Sequence, residues 1–401
     1  MQQVYETVLH GGGYARQIIG RKVLMRTEKD RQPQLVHTLQ PSEIVPVWLN
    51  WFDQTGRALP WRLSKDPYAI WVSEIMLQQT QVQTVIPYYM NFMSRFPSVH
   101  ALAEAQETSV LKMWEGLGYY KRARQLLKAA RLVVNQYGGQ IPDTVDGLKT
   151  LPGIGEYTAG AILSIAWKKA IPAVDGNVIR VFSRLTGTPW TGSDAKDRRE
   201  ATQLGGRWLP PDRPGDFNEA VMDLGATVCL PRGPHCQDCP LTSFWVALRE
   251  QRIVDLPLRK ARKTVPVDQL VVLILHHQGL WRVTRRPDHG LLGGLFSFDW
   301  LAEGSSPTQL KQLENDYSVI HLPDCTHRFT HRIWKLSGYL LESKSKAADQ
   351  IDTLCKLPEQ ESGQRMWVSD EELCSLPFPT ALEPYRQAAL AHRPVSSAEI
   401  P

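Results

Sequence analysis

From Pro41 to about Leu248, apolar residues follow a helical period. They recur three and four positions apart, for example in eight stretches that proline and glycine separate. The alternation of β-branched residues that is typical of strands is rare in this region. A repeat of about 3.6 residues places these side chains on one face of a helix, where they can pack into a core. The stretches are Ile44–Phe52, Tyr68–Gln79, Val82–Phe96, Val110–Trp114, Arg122–Tyr137, Tyr157–Trp167, Val178–Leu185 and Phe217–Leu224. We therefore predict an all-α domain over residues 41–250.

Beyond residue 266 the pattern changes to short apolar runs that favour strands. The runs are Leu270–Leu275, Leu280–Val283, Gly293–Phe296 and Phe329–Leu341. They predict an α+β domain over residues 267–392. Residues 251–266 are interpreted as a linker, residues 393–401 as a tail, and residues 1–40 as a flexible N-terminal extension or an overlong gene start.

Composition limits the classes of protein to consider. With 401 residues, 42% of them hydrophobic, the chain suffices for two or three folded domains. No apolar run reaches the roughly 18 residues that a membrane span needs, and the N-terminus lacks the pattern of a secretory signal. We expect a cytoplasmic protein that does not associate with a membrane.

The net charge of +5 is modest, and the densest positive stretch is the linker. Its basic residues, against the single acidic residue Asp255, are Arg252, Arg259, Lys260, Arg262 and Lys263. Such a stretch suits a nucleic-acid backbone, while a solvated linker is the simpler explanation.

Glu74 lies in Ala69–Leu77, a segment that is apolar nearly all round and predicts a buried helix. A carboxyl group held there loses hydration, which raises its pKa and makes it a proton donor at neutral pH. An exposed glutamate on an amphipathic helix is the alternative, and the apolar residues on both sides count against it.

Two glycines flank an apolar residue in Leu151–Gly155, between two predicted helices. Gly153 and Gly155 allow a tight turn whose N–H groups face outward and bind an anion such as a DNA phosphate. Further along, Asp175 either caps the next helix or contributes a carboxylate to chemistry. Paired with a buried acid such as Glu74, an ionised Asp175 suits cleavage of a glycosidic bond. The sequence does not show whether the two carboxylates meet in space.

Five segments, in matching order, resemble the MutY-type adenine DNA glycosylases of the helix-hairpin-helix superfamily. They are Leu59–Arg62, Ser73–Val82, Gly116–Tyr120, Leu151–Gly155 and Val174–Val178. The resemblance covers roughly residues 42–390, far more than a single motif supplies. It implies a multidomain protein, in which an all-α helix-hairpin-helix glycosylase domain precedes an α+β Nudix-like domain.

The resemblance implies an enzyme that removes adenine mispaired with 8-oxoguanine or guanine from duplex DNA, after flipping the base into a pocket. Glu74 would protonate the adenine ring and handle the attacking water, while Asp175 would stabilise the sugar cation or a transient adduct. Tyr157 and Asn177 would complete the pocket. The implied partner is double-stranded DNA, bound by a monomer that is associated with a bacterial-type nucleoid.

The resemblance also implies a set of DNA contacts in the helical domain. They are Trp61, Arg62, Gln79, Tyr119, Gly153 and Gly155. Gln79 and Tyr119 match the side chains that fill or wedge the gap in the base stack. Without the resemblance, Gln79 would be interpreted as an ordinary polar helix residue and Tyr119 as a core aromatic residue.

One position distinguishes the chain from the related endonuclease III-type enzymes. Those carry a lysine two residues after the second hairpin glycine, and its amine forms a Schiff base that lets the enzyme nick the strand. Tyr157 occupies that position here. The resemblance therefore implies a monofunctional glycosylase, with a strand-cleaving glycosylase as a more distant alternative.

The second domain resembles the family's Nudix-like module, which reads 8-oxoguanine. Gly290–Phe298 matches a strand region of that module, and Phe329, Thr330 and His331 fall on its Phe-Ser-His loop. Thr330 keeps a hydroxyl where the family typically has serine. Because no Gly-x5-Glu-x7-Arg-Glu-x2-Glu-Glu pattern follows Gly294, we do not expect pyrophosphate hydrolysis.

Six cysteines in a chain of this length do not indicate a disulfide framework. The resemblance instead implies a 4Fe–4S cluster held by four thiolates, and Cys229, Cys236 and Cys239 match the first three ligands. The fourth position is Trp245, whose indole does not ligate iron. A labile or incomplete cluster, zinc held by the three cysteines with His235, and an empty site remain open, and we expect a cluster that is absent or unstable.

The missing ligand motivates a second hypothesis about function. In it, the protein is a catalytically impaired mismatch-binding protein that marks the lesion without excising the base. Base release and mismatch binding, measured together, discriminate between the two hypotheses.

Overall fold

The computed structural model describes residues 39–259, 264–301, 314, 316–343 and 364–392. The predicted N-terminal extension up to residue 38, the middle of the basic linker and the predicted tail lie outside the described residues. Helices occupy the described chain up to Arg249, and strands begin at Val267. None of the helices in the described ranges is long and apolar enough to cross a membrane.

All eight stretches with a helical period form helices, as predicted. The helices described in this part of the chain are α1 Pro41–Thr55, α2 Pro67–Leu77, α3 Val82–Arg95, α4 Val99–Ala103, α5 Glu107–Met113, α6 Lys121–Tyr137, α7 Val145–Lys149, α8 Glu156–Trp167, α9 Gly176–Thr186, α10 Ala195–Trp208, α11 Pro214–Thr227 and α12 Val246–Arg249. Four of them, α4, α7, α10 and α12, lie in the region predicted to be helical almost throughout, but outside the eight stretches named as examples. Helix α10 was not recognised as a separate helical stretch because most of its residues are polar or glycine, which obscures the apolar period.

Local sequence explains where the helix that carries Glu74 begins and how deeply it is buried. The Asp66 side chain caps α2 by accepting a hydrogen bond from the Tyr68 backbone N–H at 3.0 Å, and Pro67 occupies the first helical position. Every residue from Tyr68 to Met76 is buried. Helix α2 therefore forms the centre of the domain, and a polar side chain at its middle is held away from water.

Two apolar cores fill the helical domain. One packs around α2, α6 and α8 and includes the fully buried Trp71. The other packs α1, α9, α10 and α11, with the Trp48 and Phe182 rings edge to face at 6.5 Å. Helix α11 contacts both α8 and α9 and so joins the cores. Since α2 carries Glu74 and Asp175 begins α9, the junction of the cores brings these carboxylates towards each other.

Beyond the linker, seven described strands form one mixed sheet. They are β1 Val267–His277, β2 Leu280–Arg285, β3 Phe296–Ser297, β4 Asp299–Leu301, β5 Tyr317–Arg328, β6 Ile333–Ser343 and β7 Gln364–Val368. The order is β3-β2-β1-β6-β5, with β4 also paired to β1 and β7 to β2. Strands β1 and β6 run parallel and the other pairs antiparallel. Two described helices, α13 Asp370–Ser375 and α14 Glu383–Ala391, complete the α+β domain, and the predicted fold class is confirmed.

The run Phe329–Leu341, predicted as one alternating strand, divides into a turn and a strand. The Phe329 backbone N–H donates to the Arg332 carbonyl at 2.9 Å, so the chain turns there before β6 begins at Ile333. Strand β5 was not predicted, because most of its side chains are exposed or half-buried and polar residues interrupt its apolar ones.

Ion pairs connect the two domains. The guanidinium of Arg124 on α6 lies 2.8 Å from an Asp288 carboxylate oxygen. On the other side of the interface, Glu115 accepts hydrogen bonds from Arg386 of α14 at 2.8 Å and from the Phe378 backbone N–H at 3.0 Å. These contacts hold the C-terminal domain over the loop between α5 and α6.

Candidate active site

Glu74 is only 5% exposed, as the apolar sequence around it predicts. Burial is the largest cause of a Glu74 pKa raised to about 7, and the negative charges of Glu219 and Asp175 act in the same direction. One carboxylate oxygen, Oε2, is buried without a hydrogen-bond partner. A substantial fraction of this carboxyl group is therefore protonated at neutral pH. The predicted burial of Glu74 is confirmed, and its role as proton donor stays a prediction.

Asp175 caps α9, and the cap fixes its carboxylate in place. Its Oδ1 accepts a hydrogen bond from the Val178 backbone N–H at 2.8 Å, and its Oδ2 accepts one from the Asn177 side chain at 3.0 Å. Burial raises the pKa of Asp175, while these hydrogen bonds oppose the rise. The capping interpretation is correct and compatible with chemistry, because N–H donors favour the ionised carboxylate.

Tyr157, in the first turn of α8, joins the two carboxylates in one group. Burial raises the pKa of Tyr157 well above its ordinary value, and the charges of Glu74 and Asp175 add to the rise. The tyrosine hydroxyl lies 3.6 Å from Met222 Sδ and also interacts with Glu74, where hydrogen bonding opposes the rise of the Glu74 pKa. Together with Asn177 these residues form one polar group, in which Glu74 is buried and the other three are half-buried. The charge of Asp175 raises the pKa of Glu74, so the carboxylates that are distant in sequence lie near each other in the fold.

The glycine hairpin connects α7 to α8. Gly153 has a φ of 88°, in the left-handed region that favours glycine, and a β-carbon there would lie 3.2 Å from Gln125 Cβ. Gly155 is exposed and caps the N-terminus of α8. The tight turn predicted from the two glycines therefore exists, and it presents a helix N-terminus of the kind that binds anions.

Gln79 and Tyr119 share an unusual backbone conformation, with φ values of 60° and 51°. A left-handed backbone is costly for residues other than glycine and persists only where the surroundings impose it. Arg122 supplies those surroundings: it donates hydrogen bonds to the Gln78 carbonyl and, at 3.1 Å, to the Gly118 carbonyl. Since Gln79 lies beyond the end of α2 and the Tyr119 ring is 39% exposed, neither is an ordinary helix or core residue.

Trp61 and Arg62 are directed into the protein, which contradicts their predicted role as DNA contacts. Trp61 is buried and its ring packs against the Tyr89 ring at 5.3 Å. Arg62 donates hydrogen bonds to Glu219 at 2.6 Å and to Asp223 at 2.9 Å. Because two carboxylates occupy the guanidinium, Arg62 stabilises the fold here and does not face a phosphate.

The rest of this ion-pair cluster was not predicted from the sequence. Asp223 also accepts a hydrogen bond from Arg57 Nε at 2.9 Å. Burial opposes the ionisation of Asp223, but the two arginines outweigh it and lower the Asp223 pKa, whereas burial of Glu219 raises its pKa despite Arg62. The signal was present: Glu219 and Asp223 interrupt an apolar helix, as Glu74 does.

A cavity of about 840 Å³ lies between the two domains. Its lining includes Tyr119, Lys121, Lys128, Phe329, Thr330 and His331. The exposed tyrosine of the helical domain and the predicted Phe329–His331 loop thus face one space, bordered by two lysines. Glu74 and Asp175 are not part of this lining.

Comparisons with known proteins agree with this architecture. Residues 72–211 match the model of the HhH-GPD superfamily base excision DNA repair proteins, and residues 270–388 match the NUDIX domain. The adenine DNA glycosylase of Mus musculus is 34% identical over 398 residues, which cover 84% of this chain and 75% of that protein. That of Homo sapiens is 35% identical, covering 74% and 67%, and that of Buchnera aphidicola subsp. Acyrthosiphon pisum is 34% identical, covering 73% and 85%.

The chain belongs to the adenine DNA glycosylase family. The resemblance read from its motifs is thereby confirmed, and the protein is an enzyme of the DNA glycosylase class. The buried group around Glu74 lies on α2, α8 and α9, all of which overlap the matched helical region.

The glycosylase has an unusual cysteine loop. Cys229 and Cys239 are buried, and Cys236 is half-buried. Arg184 donates a hydrogen bond to the Cys229 sulfur at 3.3 Å, and the Trp245 indole N–H donates one to the Cys239 sulfur at 3.2 Å. Trp245, at the position where the resemblance implies a fourth cysteine, is itself buried, and its indole contacts Cys239.

These residues do not fit a cluster held by four thiolates, since an indole is no ligand for iron. Burial raises the pKa of Cys229, and it raises that of Cys239 to about 11, so both sulfurs favour the protonated thiol. Sulfur ligands of a tetrahedral zinc lie about 3.8 Å apart. Among the described residues, neither the three cysteines nor any two of them with His235 form a group whose ligand atoms all lie within 4.8 Å of one another.

Part of the basic linker contacts the glycosylase itself. Arg252 donates to a Glu250 carboxylate oxygen at 2.7 Å, and Arg259 donates to the Pro231 carbonyl at 2.9 Å. Residues 260–263, which include the other basic side chains of the stretch, lie outside the described residues. For the two arginines that are described, a linker held to the protein surface is the better interpretation.

Proposed function

We propose that this glycosylase removes adenine mispaired with 8-oxoguanine or guanine from double-stranded DNA, in base excision repair. The observation that carries the proposal is Glu74, a buried acid with a pKa of about 7, beside Asp175 and Tyr157. A purine leaves a sugar readily only when a proton neutralises the negative charge that develops on its ring. The names of the relatives support adenine as the base.

In the proposed mechanism, the adenine nucleotide turns out of the base stack and enters the pocket at Glu74. Glu74 donates its proton to the adenine ring, and the bond between base and sugar breaks with both electrons leaving on the base. The Asp175 carboxylate stabilises the positive charge left on the sugar. Water then adds to the sugar carbon, and the ionised Glu74 accepts the proton that the water releases.

Tyr157 limits the chemistry to base removal. A Schiff base with the sugar requires an amine at this position, and a phenol does not form one. Tyr157 and Asn177 instead hold the two carboxylates in place. We therefore propose a monofunctional glycosylase, whose product is an abasic site on an intact strand.

The base opposite the adenine is proposed to enter the cavity between the domains. Gln79 and Tyr119 would fill the gap left by the flipped adenine, and the N–H groups at Gly153 and Gly155 would bind a phosphate. Phe329 offers an aromatic face, while Thr330 offers a hydroxyl for a hydrogen bond to the damaged base. One chain supplies all of these groups, so a monomer suffices.

A single-turnover assay tests the proposal. Duplexes that carry adenine opposite 8-oxoguanine, guanine or thymine are incubated with excess enzyme and then treated with alkali. We expect strand breaks for the first two duplexes only, and no breaks without alkali. Full activity of Glu74→Gln would overturn the assigned acid, and a covalent DNA adduct trapped by borohydride would overturn the monofunctional mechanism.

Trp245 favours a second candidate, a protein that binds the mismatch without excising the base. The loop between Cys229 and Cys236 contains Arg232 and His235, which would contact DNA. Without a metal, this loop would lose the conformation that the contact needs. Mismatch binding without base release in the single-turnover assay would support this candidate. The same assay on Trp245→Cys, with iron and zinc quantified, separates the two: unchanged metal content and activity would show that Trp245 is harmless.

A further inference from the structure

His276, Glu342 and His392 form a group in the Nudix-like domain that the proposed function does not use. His276 lies near the end of β1 and Glu342 near the end of β6, and the two residues are partners in the register of this parallel pair. His392 directly follows α14. None of the three lines the cavity between the domains.

The side chains of this group converge on a small space. His276 Nδ1 lies 3.8 Å from Glu342 Oε1, and His392 Nε2 lies 3.4 Å from Glu342 Oε2. One nitrogen or oxygen atom from each residue lies within 4.8 Å of the other two. Ligand atoms bound at about 2.1 Å to a tetrahedral zinc ion lie about 3.4 Å apart, so the group is close to the geometry of a bound ion.

His276 provides a second, independent indication of a ligand. It is 5% exposed, and its Nδ1 has no hydrogen-bond partner although it is buried and faces Glu342. A buried polar atom without a partner is costly, and an ion at this position would satisfy it.

We propose that His276, Glu342 and His392 bind one divalent transition-metal ion, with zinc the best fit to two imidazoles and a carboxylate, and with water completing its coordination. The ion would connect the ends of two strands to the residue that follows α14. The same helix is tied to β6 through the Tyr385 hydroxyl, which donates to the Leu336 carbonyl at 2.8 Å, and to the helical domain through Arg386. The role of the ion is therefore structural: it fastens the end of the C-terminal helix to the sheet.

Zinc titration of the full chain, without DNA, tests the proposal. We compare the parent protein with Glu342→Gln, His392→Gln and the matched control His277→Gln. His277 is the next residue along β1, its ring faces Trp367 at 6.0 Å, and it lies outside the group. We expect both group variants to lose one zinc equivalent or to bind it at least about tenfold more weakly, while the control keeps it. Any zinc bound by the cysteine loop is common to all four proteins and cancels in the comparison.

Cobalt(II) identifies the ligands of the ion that is lost. At this site it should give visible absorption without the ultraviolet thiolate band that cysteine ligands produce, and Glu342→Gln should remove that absorption. Because Glu342 is partly exposed, we expect this variant to fold, and circular dichroism checks it. His392→Gln, at the end of the helix, repeats the test at a second position. Equal zinc binding by all four proteins would overturn the proposal, as would a lost equivalent that carries thiolate absorption in the parent.

Discussion

Glu74 and Asp223 are both buried carboxylates of the helical domain, but their surroundings differ. Asp223 accepts hydrogen bonds from Arg57 and Arg62, and its pKa is lowered despite burial. Among the described residues no arginine or lysine forms an ion pair with Glu74, and its pKa is raised to about 7. Two helices of one domain thus hold one carboxylate ionised and leave another poised to exchange a proton.

The difference indicates how the fold supplies an acid. Glu219 is hydrogen-bonded to Arg62, which also binds Asp223, so the guanidinium charge is shared between two carboxylates. Negative charge on Glu219 then raises the pKa of Glu74. The ion-pair cluster stabilises the domain, and within it Glu219 raises the pKa of Glu74 while Arg62 lowers it.

The largest effect is expected for Glu74→Gln. Loss of the acid should slow adenine excision by about 10²- to 10⁴-fold, the usual contribution of general acid catalysis. The amide resembles the protonated carboxyl group and takes up no proton on folding, so the midpoint of thermal unfolding at pH 7 should rise. Single-turnover excision and calorimetry measure the two quantities, and Glu156→Gln, at an exposed position on α8, is the matched control. Equal losses of excision rate in Glu74→Gln and Glu156→Gln would contradict the assignment of Glu74 as the acid.

Asp223→Asn should mainly reduce stability. The substitution leaves Arg57 and Arg62 without their shared carboxylate, and removing one partner of a buried ion pair costs about 3–5 kcal/mol of unfolding free energy. Urea unfolding measures the loss. Asp53→Asn breaks the half-exposed pair with Arg213 and should cost no more than about 1 kcal/mol. If both substitutions cost the same, the cluster around Asp223 is not the stabilising one.

The Glu74 pKa predicts how stability depends on pH. Because the folded value of about 7 exceeds the ordinary 4.5, the native state binds the extra proton between these values. This contribution is fully present below pH 4.5 and is lost as pH rises to about 7, for a total of about 3 kcal/mol. The unfolding free energy of the parent, minus that of Glu74→Gln, should therefore fall across this window. A constant difference would mean that Glu74 titrates normally.

Arg122→Lys tests the support of the turns at Gln79 and Tyr119, which we propose to face the DNA. A lysine keeps the charge but loses the planar fork that binds the Gln78 and Gly118 carbonyls together. We expect Gln79 and Tyr119 to shift and excision from the 8-oxoguanine mispair to slow by about tenfold. Arg131→Lys, on the exposed side of α6, serves as the control. The idea fails if excision is unchanged while the Arg122 variant folds normally.

Sequence predicted the parts of the site that depend on local patterns. The apolar sequence around Glu74 indicates burial at once, and Gly153 and Gly155 indicate the turn before α8. Asp175 was predicted as a possible helix cap, and it caps α9. Such features extend over one helix or turn, so neighbouring residues determine them.

The missed features depend on contacts between distant segments. Arg62 looks like a free cation in its own segment, and only the folded chain places it against Glu219 and Asp223, more than 150 residues away. Strand β5 pairs with β6 through its backbone, with few buried side chains to mark it in the sequence. The group of His276, Glu342 and His392 likewise exists only because β1 and β6 are parallel neighbours.

Tyr157→Phe should give the smallest effect, and its direction discriminates between causes of the Glu74 pKa. Hydrogen bonding by the Tyr157 hydroxyl lowers that pKa, against the larger influence of burial. Its removal should raise the Glu74 pKa further and move the alkaline limb of the excision rate to higher pH, by less than about one unit. Tyr137→Phe, which loses a hydroxyl contact with Thr150 on the surface, should leave the limb in place. If the alkaline limb of the excision rate moves to lower pH instead, the Tyr157 hydroxyl stabilises the protonated form of Glu74. Burial alone would then not explain why the pKa of Glu74 is raised while that of Asp223 is lowered.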